Sequence, residues 1–281
     1  MEQIVEKWED GWRVRLPLPF ELKWIYSYIL QESDGYTIVD SGLHYDAAWD
    51  TWRDVFETLN IQPHTVNRVV LTHYHPDHYG LAGKLQQETG ADVWMSKKTY
   101  EQAQQFWGER RTQAEDLVAF FRQQGLPRAQ ADKLATHLQQ FVAWVTPHPV
   151  PRFVEPGETM ALGGRDYEVW STPGHAEGHV SFYDPERQWL IGGDVLLRKM
   201  TPNISWFPHG DPNPLQTYLN TLNQLKERPI QRVLPAHGPV FDDVQTRIDE
   251  ILHHHAARLA QRPHGVAHQH VAEAADHPVD R

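Results

Sequence analysis

The chain has no cysteine in its 281 residues. Disulfides, thiolate metal ligands and a cysteine nucleophile are therefore excluded, and a reducing compartment suits the composition. Long apolar runs are missing too: none approaches the roughly 20 residues that a bilayer-spanning helix needs. The opening residues, Met1-Glu2-Gln3-Ile4-Val5-Glu6-Lys7, lack the basic-then-apolar order of a secretory signal. A cytoplasmic protein with no membrane partner is expected. Basic residues are in deficit, 26 Lys and Arg against 37 Asp and Glu, for a formal net charge of -11. Phosphate binding needs a concentrated basic face, so no nucleic-acid partner is expected and the acidic surface reads as a solubility feature.

Apolar side chains are plentiful, at 40% hydrophobic and 11% aromatic residues, enough for one large elaborated domain. From Trp12 to Asp40 the pattern alternates and is cut by Pro17, Pro19 and the Glu32-Ser33-Asp34-Gly35 turn, which predicts a β-meander. Asp40 closes it, either as a carboxylate that orients a ligand or as a turn residue bonding nearby amides. Residues 47 to 60 carry Trp49, Trp52, Val55, Phe56 and Leu59 at helical spacing. A short apolar strand, Val66 to Thr72, then leads into the densest chemistry in the chain.

That stretch is Thr72-His73-Tyr74-His75-Pro76-Asp77-His78-Tyr79-Gly80. In extended backbone, residues two apart share a face, so His73 and His75 can address one metal while Tyr74 faces away. Pro76 stops the strand, and a helix from about Tyr79 to Glu88 puts Asp77 and His78 at its first turn. The positive end of the helix dipole favours an ionised Asp77 there, and the pair can address a second metal. Histidine and carboxylate are the ordinary nitrogen and oxygen ligands of zinc.

The stretch resembles the His-x-His-x-Asp-His signature of the metallo-β-lactamase superfamily, and the downstream pattern matches it in order. Ser171-Thr172-Pro173-Gly174-His175, Trp189-Leu190-Ile191-Gly192-Gly193-Asp194 and Val233-Leu234-Pro235-Ala236-His237-Gly238 each follow a strand-like run. The resemblance covers about residues 10 to 245. It implies an α+β fold, a four-layer αββα sandwich, over residues 1–245. The residue pattern itself predicts a C-terminal helix at 246–262 and, because the apolar periodicity stops at Pro263, a flexible tail at 263–281, where the glyoxalase-II-like branch usually carries an ordered domain. The resemblance also implies that His73, His75 and His175 hold one ion, that Asp77, His78 and His237 hold the other, and that Asp194 bridges them. His179 reads as a residue orienting the loop, and Asp166 and Glu168 as the solvent face of a strand.

Residues 96–150 leave the strand pattern for helical spacing and read as a helical hairpin insert like that of the glyoxalase-II-like branch. It either packs as an outer layer or forms a lid presenting Tyr100, Phe106, Trp107 and Arg110 or Arg111. The loop after Asp194 is rich in large apolar groups and carries Arg198 and Lys199. Arg198, Tyr74 and Trp107 are the candidate substrate contacts, and Tyr74, Tyr79 or Tyr183 are candidate oxyanion donors.

What the resemblance implies chemically is a hydrolase that uses two divalent ions, zinc in the first place and manganese or iron as alternatives. The ions would activate a water as a metal-bound hydroxide, with Asp77 as the catalytic proton carrier. The expected partner is a small-molecule substrate with a carboxylic ester, thioester or lactone bond, and a homodimer is left open. The other readings are a phosphodiester or ribonuclease-type hydrolase, an iron-dependent oxidoreductase, and a non-catalytic metal-stabilised module.

Overall fold

The computed structural model describes residues 4–109 and 112–261. The predicted meander is present and gains a strand at its start: β1 (Val5–Trp8), β2 (Gly11–Pro17), β3 (Trp24–Gln31) and β4 (Tyr36–Val39) pair antiparallel in succession. After α1 (Asp46–Thr58), β5 (Val66–Val70) joins parallel to β4. The helix after the histidine motif begins earlier than the sequence pattern suggested and comes in two pieces, α2 (Pro76–Tyr79) and α3 (Ala82–Thr89). Pro76 is the reason: its missing N–H and fixed φ suit the first helical position. Next come β6 (Asp92–Met95), three insert helices, and β7 (Pro151–Phe153), which completes a seven-stranded sheet in chain order.

The insert contains α4 (Lys97–Trp107), α5 (Thr112–Gln123) and α6 (Arg128–Ala143), the last two forming the hairpin read from the Gly125-Leu126-Pro127 break and the first preceding it. The first is a separate helix because Ser96 caps it, its Oγ accepting from Thr99 N at 3.0 Å, and because Gly108 ends it. Arg110 and Arg111 lie outside the described residues, as do residues 263–281 of the expected tail.

The second sheet runs β8 (Thr159–Leu162), β9 (Arg165–Ser171), β10 (Val180–Asp184), β11 (Trp189–Gly193) and, after α7 (Pro214–Lys226), β12 (Arg232–Pro235). Only the β11–β12 pair is parallel. The last described element is α8 (Val244–Ala260).

Three apolar clusters show the layering. Tyr28, Leu30, Val39 and Val70 of the first sheet meet Val169, Phe182, Ile191 and Leu234 of the second in the central layer. Trp52, Val55 and Phe56 of α1, with Leu85 of α3, cover the outer face of the first sheet. Tyr218, Leu222, Ile248 and Ile251 of α7 and α8 cover that of the second. This is the αββα sandwich that the resemblance implied. The C-terminal ends of β5, β9, β11 and β12 matter for the site. Each lies within a few residues of a candidate ligand: Val70 before His73, Ser171 before His175, Gly193 before Asp194 and Pro235 before His237. Where the sheets meet, Val180 N donates to Thr72 O at 2.9 Å and locks the two halves of the ligand set together. Among the described residues no helix is long and apolar enough to cross a membrane.

Candidate metal centre

All seven candidate ligands converge. Their ligand atoms form three overlapping groups, each spanning no more than 4.8 Å: His73, His75 and His175; His73, His78 and Asp194; Asp77, His78 and His237. His73 Nε2 and His75 Nδ1 are 2.9 Å apart. Asp194 faces both ends of the cluster. Its Oδ2 is 3.4 Å from His175 Nε2 and 3.5 Å from His78 Nε2, while its Oδ1 is 3.6 Å from His237 Nε2. Asp77 Oδ2 lies 3.2 Å from His237 Nε2 and 3.8 Å from His78 Nε2.

The rings are aimed from behind. His78 Nδ1 donates to Asp40 Oδ2 at 2.8 Å, His175 Nδ1 to Asn203 O at 2.7 Å and His237 Nδ1 to Trp24 O at 2.9 Å. A carbonyl or carboxylate acceptor fixes the proton on Nδ1, so Nε2 is left as a lone-pair donor pointing inward. His73 is held by Thr72 Oγ1 at its Nδ1, 3.0 Å away. Four inward atoms, His78 Nε2, His175 Nε2, His237 Nε2 and Asp194 Oδ1, are buried without a hydrogen-bond partner among the described residues. Buried polar atoms are rarely left unpaired, and a cluster of nitrogen and oxygen lone pairs aimed at common points fits divalent cations.

Asp40 settles the choice the sequence left open. It sits at φ 59°, a strained value for a residue with a Cβ, and its carboxylate accepts from Thr72 N at 2.8 Å, from Thr72 Oγ1 and from His78. His179 is likewise a positioning group: its Nδ1 pairs with Thr172 Oγ1 at 2.8 Å, and its Nε2 accepts from Asp194 N at 3.2 Å. Two glycines make room. At Gly193, φ 52°, a Cβ would meet His179 Nε2 at 2.8 Å, and at Gly174, φ 120°, one would meet Tyr218 Cα at 2.4 Å.

The substrate candidates fare unevenly. Tyr74 lines the site, its ring stacked on Phe106 with centroids 5.3 Å apart, and burial raises its pKa so that it stays a phenol. Trp107 is engaged between the insert and the motif backbone. It is 6% exposed, packs on Phe141 and donates Nε1 to Tyr74 O at 3.3 Å, so it fastens the motif's backbone to the insert. Arg198 is drawn away to the last helix, 2.7 Å from Asp243 and 3.5 Å from Glu250, because that helix presents the nearest carboxylates. Of the other tyrosines, Tyr79 bonds His148 and Tyr183 donates to Pro229 O. The loop after Asp194 does line the site, through Ser205 and Phe207. Its Asn203 carbonyl, which aims His175, had no signature in the sequence.

Electrostatics divide the ligands. Burial, then the charges of His78 and the other histidines, puts His73 well below the ordinary value, and burial with the charge of His175 takes His75 down to about 3. Burial opposes a charged His78, yet Asp40, Asp194 and Asp77 raise it well above; His237 is raised in the same way, burial being outweighed by Asp194 and Asp77. Without metal, His73 and His75 are thus neutral imidazoles at neutral pH, whereas the surrounding carboxylates favour the charged form of His78 and His237. A cation entering the Asp77, His78 and His237 group must displace protons, and raising the pH helps it. In zinc titrations from pH 6.5 to 8.5, the equivalent lost in His237→Ala is expected to tighten by more than about tenfold and the other far less. Equal tightening of both equivalents would contradict this division.

Comparison with known proteins agrees with the geometry. A family model described as Metallo-beta-lactamase superfamily matches residues 25–237. A solved metallo-beta-lactamase family protein from Thermus thermophilus is 31% identical, with a TM-score of 0.79 over 88% of this chain and 80% of that one. The probable metallo-hydrolase YqjP of Bacillus subtilis (strain 168) is 27% identical over 250 residues, 86% of this chain and 76% of its own. Hydroxyacylglutathione hydrolase GloC of Haemophilus influenzae is 29% identical over 161 residues, 54% of this chain and 60% of its own.

Proposed function

The chain belongs to the metallo-beta-lactamase superfamily, and from that premise we propose that it is a two-metal hydrolase of a small-molecule carboxylic ester, thioester or lactone. The observation that carries this reading is the placement of Asp194, whose two oxygens address separate members of the ligand set. The similarity to a protein named for hydrolysing an acylated glutathione supports an acyl-transfer substrate.

His73, His75 and His175 would hold one ion and Asp77, His78 and His237 the other, with Asp194 shared. Such ions, zinc in the first place, supply Lewis-acid polarisation and make water a better nucleophile near neutral pH. The chain's own residues do the rest. Asp77 is the proton carrier: it is the most open of the ligand carboxylates, at 17% side-chain exposure against 9% for Asp194, and so borders the space where substrate arrives. Asp40, Thr72, Asn203 and the Trp24 carbonyl keep the imidazoles oriented, so no ring has to turn during turnover. The Tyr74 hydroxyl is the phenol available at the cleft wall, the other two candidates being bonded elsewhere.

Zinc-loaded protein is expected to turn over at least one member of a panel of thioesters, lactones and aryl esters, and to lose that turnover on chelation. A panel that stays intact under zinc, manganese and iron would count decisively against the assignment.

A further inference from the structure

Between Asp194 and α7, residues 195–213 form no helix or strand. Backbone carbonyls there have no ladder to bond, so side chains from other elements must hold them. The segment starts buried, with Val195 and Leu196 packed into the apolar cluster of α7 and α8. Two side chains from those helices take three of its carbonyls. On α7, the Tyr218 hydroxyl donates to Val195 O at 3.0 Å. On α8, Arg247 donates Nε to Leu197 O at 2.7 Å and Nη2 to Met200 O at 2.8 Å. Three residues further along, the Asn203 carbonyl accepts from His175 Nδ1 at 2.7 Å.

Arg247 is only 9% exposed. A buried guanidinium is unfavourable unless its charge is paired and its N–H groups are bonded. Its Nη1 meets Glu250 Oε2 at 2.9 Å, one turn further along α8, and the other two arms go to the carbonyls. The rigid planar fork therefore fixes the Leu197 and Met200 carbonyls relative to each other. Other ligands have supports of their own: Asp194 N donates to His179 Nε2, and His237 donates to Trp24 O. A second cation of the segment, Arg198, also meets α8, at Asp243 and Glu250, but through a side chain that is 33% exposed. It docks the segment on the helix without holding a carbonyl of the segment.

We propose that Arg247 is a positioning residue of the metal centre. By holding the Leu197 and Met200 carbonyls it sets where the Asn203 carbonyl stands, and so keeps the His175 proton on Nδ1 and its Nε2 turned inward. The inference rests on the two-ion reading above and adds a division of labour to it: the last helix, which supplies no ligand, supports the ion of His73, His75 and His175 and not the other. Lysine at 247 would keep the charge but lacks the fork that spans two carbonyls, so a need for arginine here is a need for its geometry.

Two measurements test it. In metal-free protein, NMR of the imidazole N–H groups should show the His175 Nδ1–H, identified by its loss in His175→Ala, shielded from solvent exchange. That shielding is expected to be lost in Arg247→Lys and kept in Arg198→Ala, while the Nδ1–H of His237 stays shielded in both. Zinc affinity is then measured in a His237→Ala background, where the group of His73, His75 and His175 remains. Adding Arg247→Lys should weaken it by about 10- to 100-fold, the scale of removing support behind a ligating histidine. In a His175→Ala background the same change should leave the group of Asp77, His78 and His237 as it was. Arg247→Gln, which keeps a donor for one carbonyl, serves if the lysine variant does not fold. A His175 proton that stays shielded in Arg247→Lys, equal weakening in both backgrounds, or the same effects from Arg198→Ala would each overturn the proposal. If His237→Ala binds no zinc, the two-ion reading fails, and the imidazole resonance still decides the role of Arg247.

Discussion

Replacing Asp77 by asparagine is expected to lower kcat/KM on any hydrolysed substrate by about 10²- to 10⁴-fold, the range over which a positioned proton carrier acts. Burial alone would push this carboxyl up, but the charge of His78 and the hydrogen bond and charge of His237 hold it at about 2. It is therefore ionised throughout the working pH range, and the Asp77→Asn side chain would keep its shape while losing both its charge and its proton-accepting capacity. Asp77 also belongs to the ligand group with His78 and His237. Metal content has to be measured on the same sample, so that a lost ion is separated from lost proton handling. Activity within about fivefold of wild type at full metal content would exclude the role given to Asp77.

The second large effect is expected at Asp40, which lies buried behind the His78 ring. Its buried carboxylate takes the Thr72 amide, the Thr72 hydroxyl and the His78 ring together. Asp40→Ala would take the buried acceptor away from the Thr72 amide and the His78 ring and leave the Thr72 hydroxyl its contact with His73, and breaking a buried pair of this kind costs about 3–5 kcal/mol. Denaturant unfolding of the chelated protein measures that loss without any contribution from metal. A zinc titration of the same variant should show the Asp77, His78 and His237 group weakened by about 10- to 100-fold, as follows when the partner of a ligating histidine is removed. Unchanged stability and zinc affinity would show that Asp40 is only a turn residue.

Much of this site was legible in the sequence because its spacing is short-range. His73 and His75 share a face of extended chain, Pro76 forces the break, and Asp77 and His78 fall on the first turn; local rules suffice for that. Asp194 and His237 could be matched only through the order of strand-like runs, and the sandwich then brought them together. What escaped were interactions made across long separations by groups with no signature. The Trp24 carbonyl behind His237 spans 213 positions, and nothing in an arginine at 247 marks it as bonding loop carbonyls rather than facing solvent. Arg198 and Trp107 make their contacts elsewhere for a related reason. A lone cation goes to the nearest carboxylates, here Asp243 and Glu250, and a large indole is buried wherever the insert meets the sandwich. The hairpin of α5 and α6 was legible because its helical periodicity is plain, whereas the preceding α4 is announced mainly by the cap at Ser96.

Elemental analysis of the metal-free protein after reconstitution with zinc and removal of excess ion tests the central claim most directly. The divided ligand set predicts two zinc ions per chain in wild type, and one in His237→Ala, which disables only the group containing Asp77 and His78. One zinc or none in wild type, or an unchanged count of two in His237→Ala, would contradict it.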